Sequence, residues 1–229
     1  MKKLITTLAF LIISTYIVGQ NQRFRPLIWT THSKNTDIVG LAIGILPKEI
    51  FRDTTLTRTF GVRLEAPGLG LFFPLMPKSP LSQSIKNFEL KMSSKPHEIV
   101  YGVNISSGSN YQTEVHGISL ALVGQYLYKI NGITIAGLGN LTERYNGITI
   151  SGIGNESFKT NGIAISLIGN SSQYFNGIQI SAQNYIKTKG IGLQIGLYNK
   201  VKKFKGIQLG IWNKNEERSL PFINWNFKN

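Results

Sequence analysis

Between residues 100 and 210, pairs of apolar side chains return at a fixed spacing, as in Ile133/Ile135, Ile148/Ile150, Ile163/Ile165 and Ile178/Ile180. Each pair brackets one residue of different character and follows a glycine. Those glycines, Gly102, Gly117, Gly132, Gly147, Gly162, Gly177 and Gly192, lie fifteen residues apart, and Gly206 follows after fourteen. In the copy at 146–160, Ile148 and Ile150 alternate with Thr149 and Ser151, the period-two pattern of a strand with two unlike faces. The alternation breaks at Gly152, and Asn155 marks a bend. A polar stretch with one aromatic follows, Phe158 here and Tyr145, Tyr174 and Phe204 in sister copies. Asn-Gly then recurs at 131–132, 146–147, 161–162 and 176–177, a pair suited to a tight turn because glycine accepts positive φ.

Two bends and two short extended pieces per copy describe one coil of a narrow parallel β-solenoid. Fifteen residues give a perimeter of about 50 Å, and eight coils stacked about 4.8 Å apart make a rod about 40 Å long. One coil cannot fold alone, so the copies must stack and their ends must be closed. The isoleucine pairs are expected to face inward, with Thr134, Thr149, Ala164, Gln179, Gln194 and Gln208 on the outer face as a polar ladder open to an ordered ligand such as a glycan. On that facing, Ile150→Asp would disrupt folding far more than Thr149→Asp. Asn140, Asn155 and Asn170 share one offset, Asn110 matches them, and Asn184, Asn199 and Asn213 sit one residue earlier. Their amides are placed to hydrogen-bond coil to coil, or to serve simply as turn residues.

The chain divides into 1–19, a signal peptide; 20–100, irregular repeats with insertions; 101–219, regular repeats; and 220–229, a C-terminal cap. Gly40-Leu41-Ala42-Ile43, Gly61-Val62-Arg63-Leu64 and Asn87-Phe88-Glu89-Leu90 continue the phrase at looser spacing. Residues 71–80, apolar and proline-rich, are expected as a non-strand insertion packed over an end or side of the array, or else as an exposed loop that touches a membrane or a partner. The alternative architecture is a small antiparallel outer-membrane β-barrel, with isoleucines toward lipid and Thr, Ser and Gln toward the lumen.

Lys2 and Lys3, an apolar run from Leu4 to Val18 and the small Gly19 form an export signature, which places the protein outside the cytoplasm. The chain has no cysteine, so neither a disulfide nor a lipid-modified cysteine is available. Loss of Lys2 and Lys3 takes the formal charge from +14 to +12. Six lysines, Lys187, Lys189, Lys200, Lys202, Lys203 and Lys205, fall within 187–205. For an exported chain they imply an acidic glycan, lipopolysaccharide or lipid head groups as partner rather than nucleic acid, unless they form a solvated rim.

Taken together, Gly61–Pro80, the Asn-Gly-Ile-x-Ile copies, Gly192-Leu-Gln-Ile-Gly-Leu-Tyr-Asn199, Gly206-Ile-Gln-Leu-Gly-Ile-Trp-Asn213 and Leu220-Pro-Phe-Ile-Asn-Trp225 resemble a family of bacterial surface-repeat-containing proteins. The resemblance implies an exported repeat protein of a Gram-negative envelope, at the cell surface, outer membrane or periplasm. It brings no catalytic residues with it.

The chemistry-bearing residues point the same way. His32, His97 and His116 are far apart in sequence, with no second ligand at metal spacing. No two of the eleven acids recur at one offset in successive coils, which argues against a paired-carboxylate hydrolase. Gly190-Ile191-Gly192 lacks the rest of a phosphate-binding fingerprint. The reading is therefore non-enzymatic, a structural or interaction module without catalytic, cofactor-binding or metal residues.

Overall fold

The computed structural model describes residues 22–51, 53–68, 70–75, 78–108 and 112–227; residues 1–19, read from the sequence as an export signal, and Asn110 lie outside them. Twelve strands form one sheet in chain order. They are β1 (Arg23–Thr30), β2 (Thr36–Gly44), β3 (Thr57–Glu65), β4 (Glu98–Ser106), β5 (Thr113–Ala121), β6 (Gly124–Ala136), β7 (Gly139–Ser151), β8 (Gly154–Ser166), β9 (Gly169–Ile180), β10 (Gln183–Ile195), β11 (Tyr198–Lys214) and β12 (Ser219–Asn226). A helix, α1 (Ile85–Ser93), and short 3-10 turns at Lys48–Phe51 and Gly70–Leu75 lie between early strands.

Residue n pairs in parallel with residue n+15 through the regular copies, so Gly147 lies between Gly132 and Gly162. Successive parallel strands in this register are coils of a β-solenoid, twelve turns and about 50 Å long. The antiparallel barrel is thereby excluded as the architecture. Neighbouring copies run parallel, and β1 and β12 stand at opposite ends of an unclosed sheet. Only β12 runs antiparallel, folding back along β11.

The recurrent glycines mark one corner of the coil. From Gly40 to Gly206 each has φ between 127° and 151°, and a Cβ on any of them would overlap the carbonyl oxygen of the ladder residue one coil earlier. Conformation and crowding thus demand glycine at the same position. The first coil shows the rule by its exception. Leu27 occupies this position in β1 with φ 69°, where no earlier strand among the described residues offers a carbonyl to strike.

The facing of the strands reverses the sequence expectation. Thr134, Gln179, Gln194 and Gln208 are fully enclosed (0%), whereas Ile133 and Ile135 are 37% and 41% exposed. The isoleucines therefore form the outer surface of the segment equivalent to 147–151, here called the aliphatic face. Alternation reveals two faces but does not say which points inward.

The cause lies in what fills the interior. Half of it is a hydrogen-bonded chain. Arg63 Nη1 donates to Asn104 Oδ1, Asn104 Nδ2 to Ser119, Ser119 to Gln125 Oε1, and Gln125 Nε2 to Asn140 Oδ1. From Asn140 the line runs through Asn155, Asn170, Asn184 and Asn199 to Asn213, each amide donating to the next at 2.8–3.2 Å. The same amides tie the two sides of the coil together, since Asn140 Nδ2 also reaches Thr149 Oγ1 and the carbonyl of Ile150. A shorter ladder, Gln208 to Gln194 to Gln179, runs beside it. Buried amides tolerate this place because nearly all their hydrogen bonds are made; Gln179 Nε2, at the end of the shorter ladder, is the exception among the ladder amides described. The other half of the interior is apolar. Val100, Val115, Leu127, Ile130 and Tyr145 form one cluster, and Ala164, Phe175, Ile186, Val201 and Phe204 a second.

The drifting aromatic of the repeat proves to be two positions. Tyr145 and Phe204 point inward, whereas Phe158 and Tyr174 lie on the return face, the outer side of the segment equivalent to 154–161. There Phe158 is covered by Phe88 of α1, ring centroids 4.4 Å apart. Residues 87–90, expected as a coil, are part of that helix, which starts at Ser84, whose side chain accepts from Asn87 N. Lys91 fixes α1 to the array by pairing with the enclosed Glu143 at 2.6 Å. Within the insertion, Phe73 lies against Gly124 and Gly139, on the flank of the rod.

Two outcomes follow. Thr149→Asp should lower stability by about 3 kcal/mol or more, because it buries an uncompensated charge and removes the donor to Asn155 Oδ1. Ile150→Asp in dilute protein should have a much smaller effect, and thermal melts compare the two directly. Gly147→Ala should lose at least about 2 kcal/mol in denaturant titrations, while Leu27→Gly should be close to neutral.

Candidate functional site

The six lysines of 187–205 converge on one cleft. Strands β10 and β11 carry them on the return face beyond the cover of α1, and the register between the two strands slips between Ile186 and Lys189. Lys187, Lys189, Lys200, Lys202, Lys203 and Lys205 line it, joined by Lys214, and the inward-facing Ile186, Val201 and Phe204 lie behind them in the coil interior. The 215–218 turn before β12 closes one side. Glu216 holds that turn in place by accepting from Phe204 N at 2.9 and 3.0 Å and from Asn226 Nδ2 at 3.1 Å. The cleft is open to solvent on one side, and its volume is about 1290 Å³.

The electrostatics of this cleft are unbalanced. Lys187 pairs with Glu156 at 2.8 Å, and Lys200 rests near the Tyr185 ring. Among the described residues, Lys189, Lys200, Lys202 and Lys203 have no carboxylate at ion-pair distance. Lys189 and Lys203 are moreover direct neighbours across the two strands. Like charges set side by side repel, and an anion between them would relieve that repulsion.

The other sequence candidates fall elsewhere. Thr134, Thr149, Ala164 and the glutamines 179, 194 and 208 are inside the coil, so they form no outer binding ladder. His116 stacks on Tyr101, which stacks on Phe60, and its Nε2 lies 2.8 Å from Glu114 Oε1, a carboxylate shared with Lys129. His32 Nε2 lies 2.9 Å from the Leu46 carbonyl. Among the described residues no three His, Asp or Glu side chains gather as a metal site.

Sequence reasoning missed a buried charge cluster. Arg63, 1% exposed, pairs with Glu65 at 2.5 Å and also with Glu98, both enclosed. Intervals of 21 and 41 residues between Gly40, Gly61 and Gly102, in place of fifteen, hide the register that joins them. The visible signal was an arginine at a position that Thr or Gln fills in later copies. Burial alone would lower the guanidinium pKa, but the two carboxylates outweigh it and raise the value above that of free arginine. Arg63 also heads the amide chain, and every amide in that line turns its oxygen toward it. A cation at the acceptor end of aligned dipoles is favourable, as at a helix C-terminus.

Arg63→Met should therefore lose about 3–5 kcal/mol, leaving two carboxylates buried without their cation. Part of that loss should be recovered as pH falls, because such carboxylates bind protons more tightly folded than unfolded. Denaturant titrations of the variant at neutral and mildly acidic pH check both. No family model, no curated protein and no solved structure matches the chain.

Proposed function

We propose that the protein is an exported, non-enzymatic interaction module of the Gram-negative cell envelope that holds an anionic saccharide, an acidic glycan or the sugar portion of lipopolysaccharide, in the cleft of β10 and β11. One observation carries the reading: Lys189 and Lys203 lie side by side, without carboxylate partners among the described residues, in a cleft that gathers all six lysines of 187–205. The export signature at Lys2–Gly19 and the resemblance to surface-repeat proteins support the envelope location.

The chemistry suits binding. Lysine ammonium groups are mobile point charges that follow irregularly spaced carboxylates or phosphates, whereas bidentate arginine forks would select one geometry. The long rod then holds the cleft at one end, and the remaining coils serve as a rigid support.

The test is titration of the purified protein with polygalacturonate and, separately, with deacylated lipopolysaccharide. Lys189→Gln/Lys203→Gln should weaken binding about tenfold or more, and raising salt to about 0.5 M should weaken the native protein strongly. Affinity that survives that salt, or that is unchanged by Lys→Gln substitutions across 200–205, contradicts the proposal. Preference for one probe identifies which saccharide source the cleft takes.

A further inference from the structure

We propose that the aliphatic face docks onto the same face of a second copy of this chain. The observation is independent of the lysine cleft, which lies on the return face. In each strand from β2 to β11, two outward positions flank one inward residue, from Leu41 and Ile43 in β2 to Ile207 and Leu209 in β11. All twenty are Ile, Leu or Val. Ile223 and Trp225 of β12, paired with Leu209 and Ile207, extend the row. No charge interrupts it. The chain's cations are numerous, yet among these positions there is none, and α1 and the Phe73 insertion both pack on other sides of the rod.

The partner's identity follows from area, shape and energetics. Ten strands about 4.8 Å apart carrying two side chains each give a patch of about 45–50 by 12 Å, roughly 550 Å². That equals the largest apolar patch ordinarily left on a monomer, and the corner row of Leu122, Ile153, Leu167, Leu197 and Ile211 enlarges it further. Two copies face to face would bury about 1,100 Å² before the corner is counted, and with it reach the size of a specific interface. A sheet with one apolar side ordinarily buries that side against another layer. Here the interior has been given in part to amides and hydroxyls, so the face holds hydrophobic driving force that the single coil stack leaves unused. Rows of β-branched side chains on a regular spacing are complementary to a second identical set, packed about 10 Å away as in a β-sandwich. A two-fold axis through the middle of the face, whether it lies along the rod or along the strands, sets β6 and β7 opposite their own copies and closes the assembly at two.

Sedimentation of the purified protein from about 1 to 100 µM, without lipid or detergent, should show a reversible monomer–dimer equilibrium. Ile148→Lys/Ile165→Lys should shift it to monomer with the far-UV circular dichroism unchanged, and Lys189→Gln/Lys203→Gln should leave it intact. Because the chain has no cysteine, Ile148→Cys carrying pyrene provides a second reading that adds no charge. It should give excimer fluorescence, while Lys159→Cys on the return face should give none. A monomer throughout the range, an open-ended aggregate, or a monomer that instead binds phosphatidylethanolamine–phosphatidylglycerol vesicles through Ile148 and Ile165 would overturn the proposal. Loss of saccharide binding with the dimer preserved would count against the cleft alone.

Discussion

The structure depends on amides that hydrogen-bond to their own kind. Asn140, Asn155, Asn170, Asn184, Asn199 and Asn213 each give Nδ2 to the next Oδ1, and Gln125, Ser119 and Asn104 continue the line back to Arg63. A slip of one residue in any coil would point the amide out and leave its neighbours with unpaired donors and acceptors inside. The chain of amides therefore fixes the register. Parallel register in turn stacks Gly on Gly at the kinked corner, where the close carbonyl permits no side chain. Two steps are one residue shorter, Asn170 to Asn184 and Asn199 to Asn213, and the ladder spans both without a break, at 3.2 and 2.8 Å.

A polar interior has a price that is met elsewhere in the molecule. Internal hydrogen bonds largely replace those to water, so their net contribution is about 1 kcal/mol apiece, well below what full burial of an isoleucine gives. The isoleucines of the repeat are only partly shielded, by their neighbours along the ladder. Apolar burial is concentrated instead in the inward Leu127, Ile130, Tyr145, Phe175 and Phe204 and beneath α1. The two outer surfaces consequently differ in kind, one uncharged and aliphatic, the other carrying helix, insertion and lysines. Arg63, Glu65 and Glu98 sit where the amide line begins, so these enclosed ion pairs coincide with the end of a dipole array.

Much of this was legible from the residues. The fifteen-residue spacing, the glycine corner, parallel stacking and the amide ladder all follow from side chains that recur at fixed offsets. The facing was not legible, because a strand with Ile at two positions and Thr or Gln between them fits either orientation. Three successive glutamines at 179, 194 and 208, with small residues two positions on at Ser181, Gly196 and Gly210, were the available sign of an enclosed, crowded row. Asn87–Leu90 was misread because its apolar spacing imitates the repeat, although the glycine that defines the corner is missing. The lysines were visible as a cluster, but their convergence required the slipped register of β10 and β11 and the 215–218 turn, neither of which leaves a periodic trace.

The orientation of the coil is tested most directly by hydrogen exchange of side-chain amides in protein labelled with ¹⁵N at asparagine and glutamine. The structure predicts slow exchange for Asn140, Asn155, Asn170, Gln179 and Gln194, comparable with the central backbone amides, and faster exchange for Asn131, Asn146 and Asn161, which lie on the outer surface. Loss of all these signals within the dead time of the experiment, with no difference between the two sets, would contradict a polar interior and return the isoleucines to the inside.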